Sequence, residues 1–481
     1  MSLKKQIFIV ILFLASCSYV KLGLTAELLI QYQAQGQRAS IVTQNSMVSN
    51  TLENSQIQVL EVPESDLELT RNHLVENPNI LHVEENEEIH AHFAPNDEFF
   101  SHQWFQDSLE LPQVWNQTHS AEKILIAVID SGVDLNHPDL VQNLWKNPHE
   151  IPKNGIDDDG NGYVDDVVGY DFLNRDGDPQ DDYGHGTSVF GEIAATGNNQ
   201  IGVSGIVWNA EVMVLKVLNS KGDSNLSTAI EAIHYAIAHE AKIINISWGY
   251  VPNTTPSEIL KEALQKAADK GILVVASAGN GYWGTPIDND LDSSKANYPS
   301  SYKLDNMISV AATNSQDQLA DFSDYGQTTV HLAAPGVEIF TTALHSSYNY
   351  FTGTSAAAPL VTGSAALIWS ENPSLNFSQI KRLLLETTDA VSALKDKVSS
   401  GGRLNTFQAL NASPAFGGKL LENVSSSISE NIIPNGGESG GGGCSLSSND
   451  SQLNSTFIVI YSIICVGIWI FKKQSLIKDK T

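Results

Sequence analysis

Three short segments of the chain place an acid, a base and a hydroxyl group among small residues. Asp130 lies in the run AVIDSG, His185 in GHGT and Ser355 in GTSAAAP. A serine hydroxyl is a poor nucleophile near neutral pH unless a base takes its proton, and histidine is the usual base. A carboxylate can orient the imidazole and stabilise its charged form. These residue types predict acyl transfer to Ser355, with His185 as general base and Asp130 as its partner.

The neighbours of these residues fit the predicted roles. Gly184 and Gly186 allow the backbone to approach closely around the histidine. Ser355 opens a run rich in alanine and leucine, which predicts a helix that begins at the nucleophile. The N-terminus of a helix favours negative charge, so this helix would help to stabilise a developing oxyanion.

In this order along the chain, the three segments resemble those of the subtilisin-like serine proteases (subtilases, peptidase S8 family). The resemblance runs from about Pro95 to about Leu410. It implies a serine endopeptidase that hydrolyses peptide bonds through an acyl-enzyme and is made as an inhibited precursor. It also implies that Asn280, in SAGNG, donates its side-chain amide to the oxyanion. The residues implied to line the primary specificity pocket and pair with the substrate backbone are Ser247, Trp248, Gly249, Ser277, Ala278 and Gly279.

The chain departs from the family pattern directly after the histidine. Most members read HGTHVAG, whereas this chain reads HGTSVFG, with Ser188 and Phe190 at the changed positions. A large ring in place of a small residue predicts altered packing behind the helix. Two alternatives to a protease are a catalytically idle module that binds peptides and an esterase-like hydrolase. The complete set of Asp130, His185 and Ser355, together with Asn280, favours the protease.

Short apolar runs alternate with helical patterns through the middle of the chain. Continuous apolar strands separated by helices are typical of a parallel sheet that is covered on both faces. Residues 95–411 are therefore predicted to form an α/β peptidase domain, for which the resemblance implies the three-layer subtilisin-like fold with a mostly parallel central sheet. Functional side chains are expected at the carboxyl ends of the strands, where Asp130 and Ser247 fall. The predicted strands are 124–129, 212–217, 243–247 and 272–276, and the predicted helices are 227–239 and 257–270.

Residues 27–94 are predicted to form a separate small α+β unit. Strands are expected at 28–32, 56–62 and 80–84, with an amphipathic helix at 65–76. The pattern resembles the ferredoxin-like inhibitory propeptide of subtilases, which assists folding and then blocks the cleft until it is removed. The resemblance implies that this propeptide is a partner of the enzyme, with cleavage near residues 92–96.

A first calcium site is implied by the resemblance, since similar loops in subtilases bind the ion through an asparagine side chain and alternate backbone carbonyls. Hard oxygen ligands from distant segments suit calcium and would tie down the start of the peptidase domain. A plain turn is the alternative. The family ligands carry over to Asp97, Asp139, Gly197, Asn199, Ile201 and Val203.

A second calcium site is predicted in the acidic loop DDDGNGYVDD at 157–166. Acidic and amide residues at alternating positions, followed by glycine, resemble the front of an EF-hand loop. The closing glutamate is missing, because Val168 occupies its place. A solvated acidic turn is the alternative. The candidate ligands are Asp157, Asp159, Asn161, Tyr163 and Asp165.

Residues 1–26 are predicted to be an export signal. Lys4 and Lys5 precede the apolar run 7–15, which is too short to span a membrane as a stable helix. The sequence LASC ending at Cys17 resembles a lipobox, which would make Cys17 the lipidated N-terminus of the mature protein. Ordinary cleavage after Leu24-Thr25-Ala26 is the alternative, and the sequence leaves both open.

Two segments follow the peptidase domain. Residues 412–452 are rich in serine and glycine and are predicted to be a linker. Residues 453–473 are predicted to be a transmembrane or sorting helix with a basic tail at Lys472 and Lys473. We therefore expect an exported protein at the cell envelope or cell surface, held in a membrane by this helix or released after processing.

Net charge and cysteine positions argue against nucleic acid as a partner and against a disulfide within the peptidase domain. The net charge of -28 argues against nucleic acid, because binding phosphates requires a basic face. The expected partners are protein or peptide substrates, the propeptide and a membrane, and no organic cofactor is expected. All three cysteines, Cys17, Cys444 and Cys465, lie outside the predicted peptidase domain, so that domain cannot hold an internal disulfide.

Overall fold

A computed structural model describes residues 25–33, 47–52, 56–86, 94–282, 285–291 and 293–414. Cys17 with the rest of segment 1–24, most of the predicted linker and the predicted helix at 453–473 lie outside the described residues. Within the described ranges, no helix combines the length and apolar character needed to cross a membrane. The predictions for the terminal segments therefore stay predictions.

A small antiparallel sheet with one helix forms the first part of the described chain. Side chains that alternate along the strands pack against Leu74 of the helix, as expected when one face of a sheet is covered. The strand order is β2-β3-β1-β4. The structure confirms the three predicted strands and the helix, and adds β2, whose sequence MVSNT lacks apolar alternation. The elements are β1 (Thr25–Tyr32), β2 (Met47–Thr51), β3 (Ile57–Pro63), α1 (Leu67–Val75) and β4 (Ile80–Glu85).

A nine-stranded sheet forms the centre of the larger part, in the order β14-β15-β11-β10-β9-β8-β5-β7-β6. Every pairing in it is parallel except that of β14 with β15, so the prediction of a mostly parallel sheet is confirmed. Two further strands, β12 and β13, form an antiparallel hairpin. The strands are β5 (Ser120–Asp130), β6 (Gly169–Asp171), β7 (Asn209–Lys216), β8 (Ile243–Ile246), β9 (Leu273–Ser277), β10 (Met307–Thr313), β11 (Leu332–Pro335), β12 (Ile339–Ala343), β13 (Ser347–Phe351), β14 (Asp389–Ala390) and β15 (Gly402–Arg403).

Helices cover both faces of this sheet, which gives the three-layer α/β arrangement. Alternate strand residues such as Ala127 and Ile129 pack with helices α5 and α6 on one face. The residues between them along each strand point to the other face, which α7 covers. On β8, for example, Asn245 accepts a 2.7 Å hydrogen bond from the Thr362 hydroxyl of α7. The helices are α2 (Phe105–Ser108), α3 (Leu111–Trp115), α4 (His185–Ala194), α5 (Leu226–Ala238), α6 (Glu258–Asp269), α7 (Thr354–Glu371), α8 (Phe377–Glu386) and α9 (Thr406–Asn411).

Strand β5 lies where the order of the sheet changes direction. The chain passes from β5 to β7 on one side and then crosses to β8 on the other side. The connection that follows β5 runs through α4 on the face that α7 covers, whereas the connection that follows β8 runs through α6 on the other face. The two connections diverge and leave a crevice at the carboxyl end of β5. Asp130 is the last residue of β5, so the fold places the predicted acid at this crevice.

Candidate active site

The predicted acid and base form a direct pair. Asp130 Oδ1 lies 2.7 Å from Nδ1 of His185, the first residue of α4. The same Oδ1 accepts a 2.7 Å hydrogen bond from the Ser131 amide, which fixes the carboxylate. The start of α4 comes so close to β5 that a Cβ on Gly186 would lie 2.1 Å from the Gly132 carbonyl oxygen. Only glycine fits there, as the sequence predicted.

A second buried carboxylate, Asp181, holds the turn that leads into α4. It accepts hydrogen bonds from the Ser131 hydroxyl, from the amides of Tyr183 and Gly184, and from both the amide and hydroxyl of Thr187. Asp181 thus ties the end of β5 to the first turn of the helix that carries the base. Sequence reasoning missed it, although an aspartate just before a helix start is a recognised capping signal.

Two opposing effects act on the pKa of His185. Burial of the ring lowers it, while the charge of Asp130, its hydrogen bond and the charge of Asp181 raise it. The carboxylates prevail, so the pKa of His185 is raised above its ordinary value. This is the behaviour required of a base that must hold a proton while the leaving group departs.

Ser355 lies in the first turn of α7 and is linked twice to the segment after β8. Its hydroxyl donates to the Ser247 carbonyl at 2.8 Å, and the Ser247 hydroxyl donates to the Ser355 carbonyl at 3.1 Å. The Ser355 carbonyl accepts this second bond because Pro359, four residues later, has no N–H to offer it. The hydroxyl must therefore rotate from Ser247 toward His185 before it can be activated.

The predicted nucleophile, base and oxyanion donor line one cavity of about 240 Å³. In the amide of Asn280, Oδ1 accepts hydrogen bonds from the amide and the hydroxyl of Thr354, at 2.8 and 3.0 Å. This fixes which side of the amide faces the cavity, because only the Nδ2 group is left to donate. Among the described residues, Asn280 Nδ2 has no acceptor.

Five of the six predicted substrate-binding residues also line this cavity. Trp248 is held in place by a 2.9 Å hydrogen bond from its indole N–H to the Ile129 carbonyl. Ala278 is the exception, since it is fully buried and packs against the sheet. The five lining residues are Ser247, Trp248, Gly249, Ser277 and Gly279.

The two departures from the family pattern lie on α4 and are buried. Ser188 donates a 2.9 Å hydrogen bond to the Thr342 carbonyl of the β12–β13 hairpin. Phe190 is fully buried on the same helix. Since Ser188 has its own acceptor and Phe190 is enclosed in the core, neither residue leaves an unpaired polar group beside the cavity.

The first predicted calcium region brings three of its side chains together. Asp97 accepts hydrogen bonds from the Asn198 and Asn199 amides and from the Ser204 hydroxyl. Asp139 accepts from Asn199 Nδ2 at 2.7 Å and from the Val203 amide at 2.9 Å, and burial raises the pKa of Asp139 to about 6. Hydrogen bonds therefore join the loop that carries Gly197, Asn199, Ile201 and Val203 to both aspartates.

In the acidic loop the predicted ligands Asp157 and Asp165 accept hydrogen bonds from loop amides, and the Tyr163 hydroxyl donates to Glu231. Of the predicted residues, Asp159 and Asn161 reach the carboxylate cluster, because Asn161 Nδ2 donates to Asp166 at 2.9 Å. The cluster with carboxylate oxygens within 4.8 Å of one another consists of Glu150, Asp159 and Asp166.

Two members of this cluster, Glu150 and Asp166, were not among the predicted ligands. Glu150 precedes the acidic loop, and Asp166 is its last residue. Glu150 is 7% exposed and Asp166 is fully buried. Glu150 Oε1 accepts from two backbone amides, whereas its buried Oε2 has no partner among the described residues. A buried carboxylate oxygen without a donor is costly unless a cation meets it, so the donor set fits a divalent ion with oxygen ligands.

Comparison with known proteins agrees with this geometry. Residues 121–410 match the Subtilase family, peptidase S8. The chain is 36% identical over 328 residues to "Subtilisin-like protease 1" of Plasmodium berghei, which covers 66% of this chain and 54% of that protein. It is 33% identical over 319 residues to "Thermitase" of Thermoactinomyces vulgaris, which covers 66% of this chain and 99% of that protein.

A solved structure shows the same fold. It is that of a protease from Pseudoalteromonas arctica PAMC 21717, and it superposes with a TM-score of 0.54 at 27% identity, covering 66% of this chain and 99% of that one. The chain spans about half the length of the Plasmodium relatives that it matches, 54% and 48%. Because the family match covers more than half of the chain and includes Asp130, His185 and Ser355, the chain belongs to the subtilase family.

Proposed function

We propose that the chain is a serine endopeptidase in which Asp130, His185 and Ser355 form the catalytic triad. The observation that supports this most strongly is one cavity lined by the His185 ring, the Ser355 hydroxyl and the Nδ2 group of Asn280. A nucleophile, an oriented base and an oxyanion donor around the same space are what acyl transfer requires.

The reaction begins when the Ser355 hydroxyl leaves the Ser247 carbonyl and turns toward His185. Its oxygen forms a bond to the scissile carbonyl carbon while Nε2 of His185 takes the hydroxyl proton. The oxyanion accepts hydrogen bonds from Asn280 Nδ2 and from the N–H groups of the first turn of α7, which have no acceptor within the helix. The C–N bond then breaks, and His185 returns the proton to the leaving amine.

Water completes the cycle on the acyl-enzyme. His185 takes a proton from water as the water oxygen attacks the ester carbonyl, and Ser355 leaves with that proton. Asp130 keeps its charge throughout and stabilises the imidazolium that forms twice in each turnover.

A second cavity supports peptide rather than small ester substrates. It has a volume of about 320 Å³, and it shares Leu218, Gly222, Trp248 and Gly249 with the first cavity. Two adjoining cavities accommodate several residues of an extended chain, whereas a small ester would occupy one. The same long cleft would also serve an idle peptide-binding module, so a turnover measurement must separate the two.

Replacing Asn280 by leucine tests the proposed activity. The two side chains have similar shapes, but leucine cannot donate to the oxyanion. We expect kcat for a peptide amide to fall by about 10²–10³, a magnitude that comes from the oxyanion asparagine of subtilisin, a relative of this chain. KM should change little, because the donor acts on the transition state and not on the bound substrate.

The assay measures kcat and KM for an internally quenched peptide, with casein as a second substrate. Asn253→Leu, a change at an exposed loop residue, is the matched control and should leave kcat unchanged. A folded and processed wild-type protein that cleaves neither substrate would contradict the endopeptidase and favour the idle module.

We also propose that the enzyme is made as an exported precursor. Residues 1–26 would be the signal, 27–94 the inhibitory propeptide and 95–411 the peptidase domain, with cleavage near residues 92–96. The antiparallel sheet of β1–β4 supports a separately folded unit ahead of the peptidase. Membrane attachment through Cys17 or through 453–473 stays a prediction, since both lie outside the described residues.

Structural calcium is proposed at the Glu150–Asp159–Asp166 cluster and beside Asp97, Asp139 and Asn199. Ions at these places would neutralise carboxylates that burial otherwise destabilises, and they would tie loops to the sheet. Their role would be stability and not chemistry, because the cavity already holds every group that the reaction uses.

Removing calcium is therefore expected to lower the temperature of thermal unfolding. Calcium at 100 times its dissociation constant adds about 2.7 kcal/mol, which corresponds to a shift of roughly 4 °C for a domain of about 300 residues. Glu150→Gln should lose part of this shift, whereas Glu262→Gln, exposed on α6, should keep all of it. Calorimetry with calcium and with a chelator would measure the difference. Equal unfolding temperatures for the wild type in both conditions would contradict the proposal.

A further inference from the structure

We propose that Asn297 closes the primary specificity pocket and selects substrates whose residue before the scissile bond has a short side chain with an O–H or N–H donor: serine, threonine, asparagine or glutamine. Apolar, aromatic and acidic side chains would be disfavoured at this P1 position. The inference rests on the proposed function, since it names the substrate class of the same site.

The side chain of Asn297 lies between the two wall segments of the cavity. A Cβ built on Gly249, in the first wall, would lie 2.2 Å from Asn297 Oδ1. A Cβ built on Gly279, in the second wall, would lie 2.9 Å from Asn297 Cβ. Both walls therefore contact the asparagine through a glycine, and Asn297 itself lines the cavity with Ser355. The asparagine occupies space between the walls that a bulky P1 side chain would need.

Hydrogen bonds hold this side chain in one orientation. Both protons of Asn297 Nδ2 are used, one by the Ser277 carbonyl at 3.2 Å and one by the Ser300 hydroxyl at 3.0 Å. The backbone amide of Asn297 donates to Asn289 Oδ1, and Asn289 Nδ2 donates to the Ala278 carbonyl. Because these bonds join Asn297 to the second wall, moving it aside would break several of them at once.

This orientation leaves one acceptor for the substrate. The Ser277 carbonyl can only accept, so it fixes Nδ2 on that side and Oδ1 on the other. Among the described residues nothing donates to Asn297 Oδ1, although Asn297 is only 8% exposed. An acceptor this enclosed loses its water when a substrate fills the cavity. A P1 donor replaces the lost water, whereas an apolar side chain of the same shape does not.

Charge behind the second wall disfavours acidic P1 residues. A Cβ on Gly279 would lie 2.1 Å from Asp324 Oδ2, so this buried carboxyl group lies directly behind the glycine. Burial raises the pKa of Asp324 to about 6, which leaves it charged at neutral pH. A P1 carboxylate would meet the Asn297 acceptor in the pocket and would approach the Asp324 carboxyl group behind Gly279.

The test compares kcat/KM for matched peptides that differ only at P1, with asparagine, leucine, phenylalanine or glutamate. Asparagine and leucine have nearly the same shape and differ in the donor, so we expect the wild type to prefer asparagine about 10-fold or more. Phenylalanine and glutamate should be poorer still. Preference for leucine, phenylalanine or glutamate over asparagine would overturn the inference, and this comparison does not depend on the folding of any variant.

Two variants separate size from hydrogen bonding. Asn297→Gly should raise kcat/KM for the phenylalanine peptide by roughly 10–200-fold, because it opens the space between the walls. Asn297→Leu should abolish the preference for asparagine over leucine while still excluding phenylalanine. Active sites are counted with a fluorophosphonate, so rates refer to folded enzyme. An unlabelled wild type that cleaves no peptide would refute the proposed function, whereas a labelled enzyme with unchanged P1 preferences in both variants would refute only the role of Asn297.

Discussion

Replacing Ser355 by alanine is expected to lower kcat for a peptide amide by about 10⁶, a magnitude that comes from the corresponding serine of subtilisin, a relative of this chain. Without the hydroxyl no acyl-enzyme forms, and the remaining groups can only assist attack by water. The precursor should also stay at full length, whereas the wild type should shed a fragment that ends near residue 95. Peptide hydrolysis with calcium present and gel analysis of the precursor would measure the two effects.

Ser364→Ala is the matched control for this variant. Ser364 is another buried serine of α7, and its hydroxyl donates to the Leu360 carbonyl within the helix. Its loss should leave kcat unchanged, because it does not line the cavity. Residual peptidase activity in Ser355→Ala within tenfold of the wild type would show that another residue is the nucleophile. A wild-type precursor that also stays intact, yet becomes active after added protease, would leave the triad in place but contradict self-maturation.

Replacing Asp130 by asparagine should have the second largest effect, a fall in kcat of up to about 10⁴, the magnitude found for the equivalent change in a chymotrypsin-like triad. The introduced amide could keep the hydrogen bonds to Ser131 and His185 through its carbonyl oxygen. It cannot supply the negative charge that stabilises the imidazolium. Its nitrogen would also occupy the place of Asp130 Oδ2, a buried atom with no partner among the described residues.

The same variant changes the pH dependence. Burial lowers the pKa of His185, and the charge of Asp130 is the largest of the effects that raise it. Because the neutral imidazole is the base, kcat/KM of the wild type should rise with pH through a midpoint above about 6.5, the ordinary histidine value. In Asp130→Asn the pKa of His185 falls, so this midpoint should move to lower pH. Asp269→Asn, on the last residue of α6, is the control and should leave the midpoint in place.

A midpoint that is unchanged in Asp130→Asn would show that His185 does not titrate in the step being measured. A full loss of folding, detected by a changed circular dichroism spectrum, would instead identify Asp130 as a structural residue. We expect instead a folded variant that is slow at every pH and whose remaining rate depends on a more acidic group.

Local patterns were enough to predict the centre of the large sheet and most of the small one. The continuous apolar runs at 124–129, 212–217, 243–247 and 272–276 became β5, β7, β8 and β9, because strands buried on both faces have no polar alternation. Strands such as β2, β14 and β15 were not predicted, since they are short or contain few apolar residues and are fixed by the strand beside them. Asp130 was expected at a strand end, and β5 places it there.

The site could be predicted in its members but not in its hydrogen bonds. Residue types and order identified Asp130, His185, Ser355 and Asn280, and the structure brings the base, the nucleophile and the oxyanion donor to one cavity, with Asp130 bound to the base. The Ser355 hydroxyl is oriented toward Ser247 because it donates to the carbonyl of that residue, which lies 108 positions away in the sequence. No local pattern contains that information.

Long-range contacts also explain the acidic residues that were missed. Asp181 becomes important because β5 and α4 meet around it, and Glu150 because a turn brings it to Asp159 and Asp166. In the sequence both residues resemble ordinary surface carboxylates. The pattern of the acidic loop predicted Asp157 and Asp165 as ligands, and the structure shows that their carboxylates accept hydrogen bonds from loop amides.

Mapping a fluorophosphonate adduct by mass spectrometry on the processed protein would identify the nucleophile directly. We expect one adduct per chain, on the peptide that contains Ser355, and we expect labelling to be slowed by several orders of magnitude in His185→Ala. An adduct on another residue would contradict the assignment of Ser355 as the nucleophile. Full hydrolysis of casein by a protein that takes up no label would contradict serine catalysis altogether.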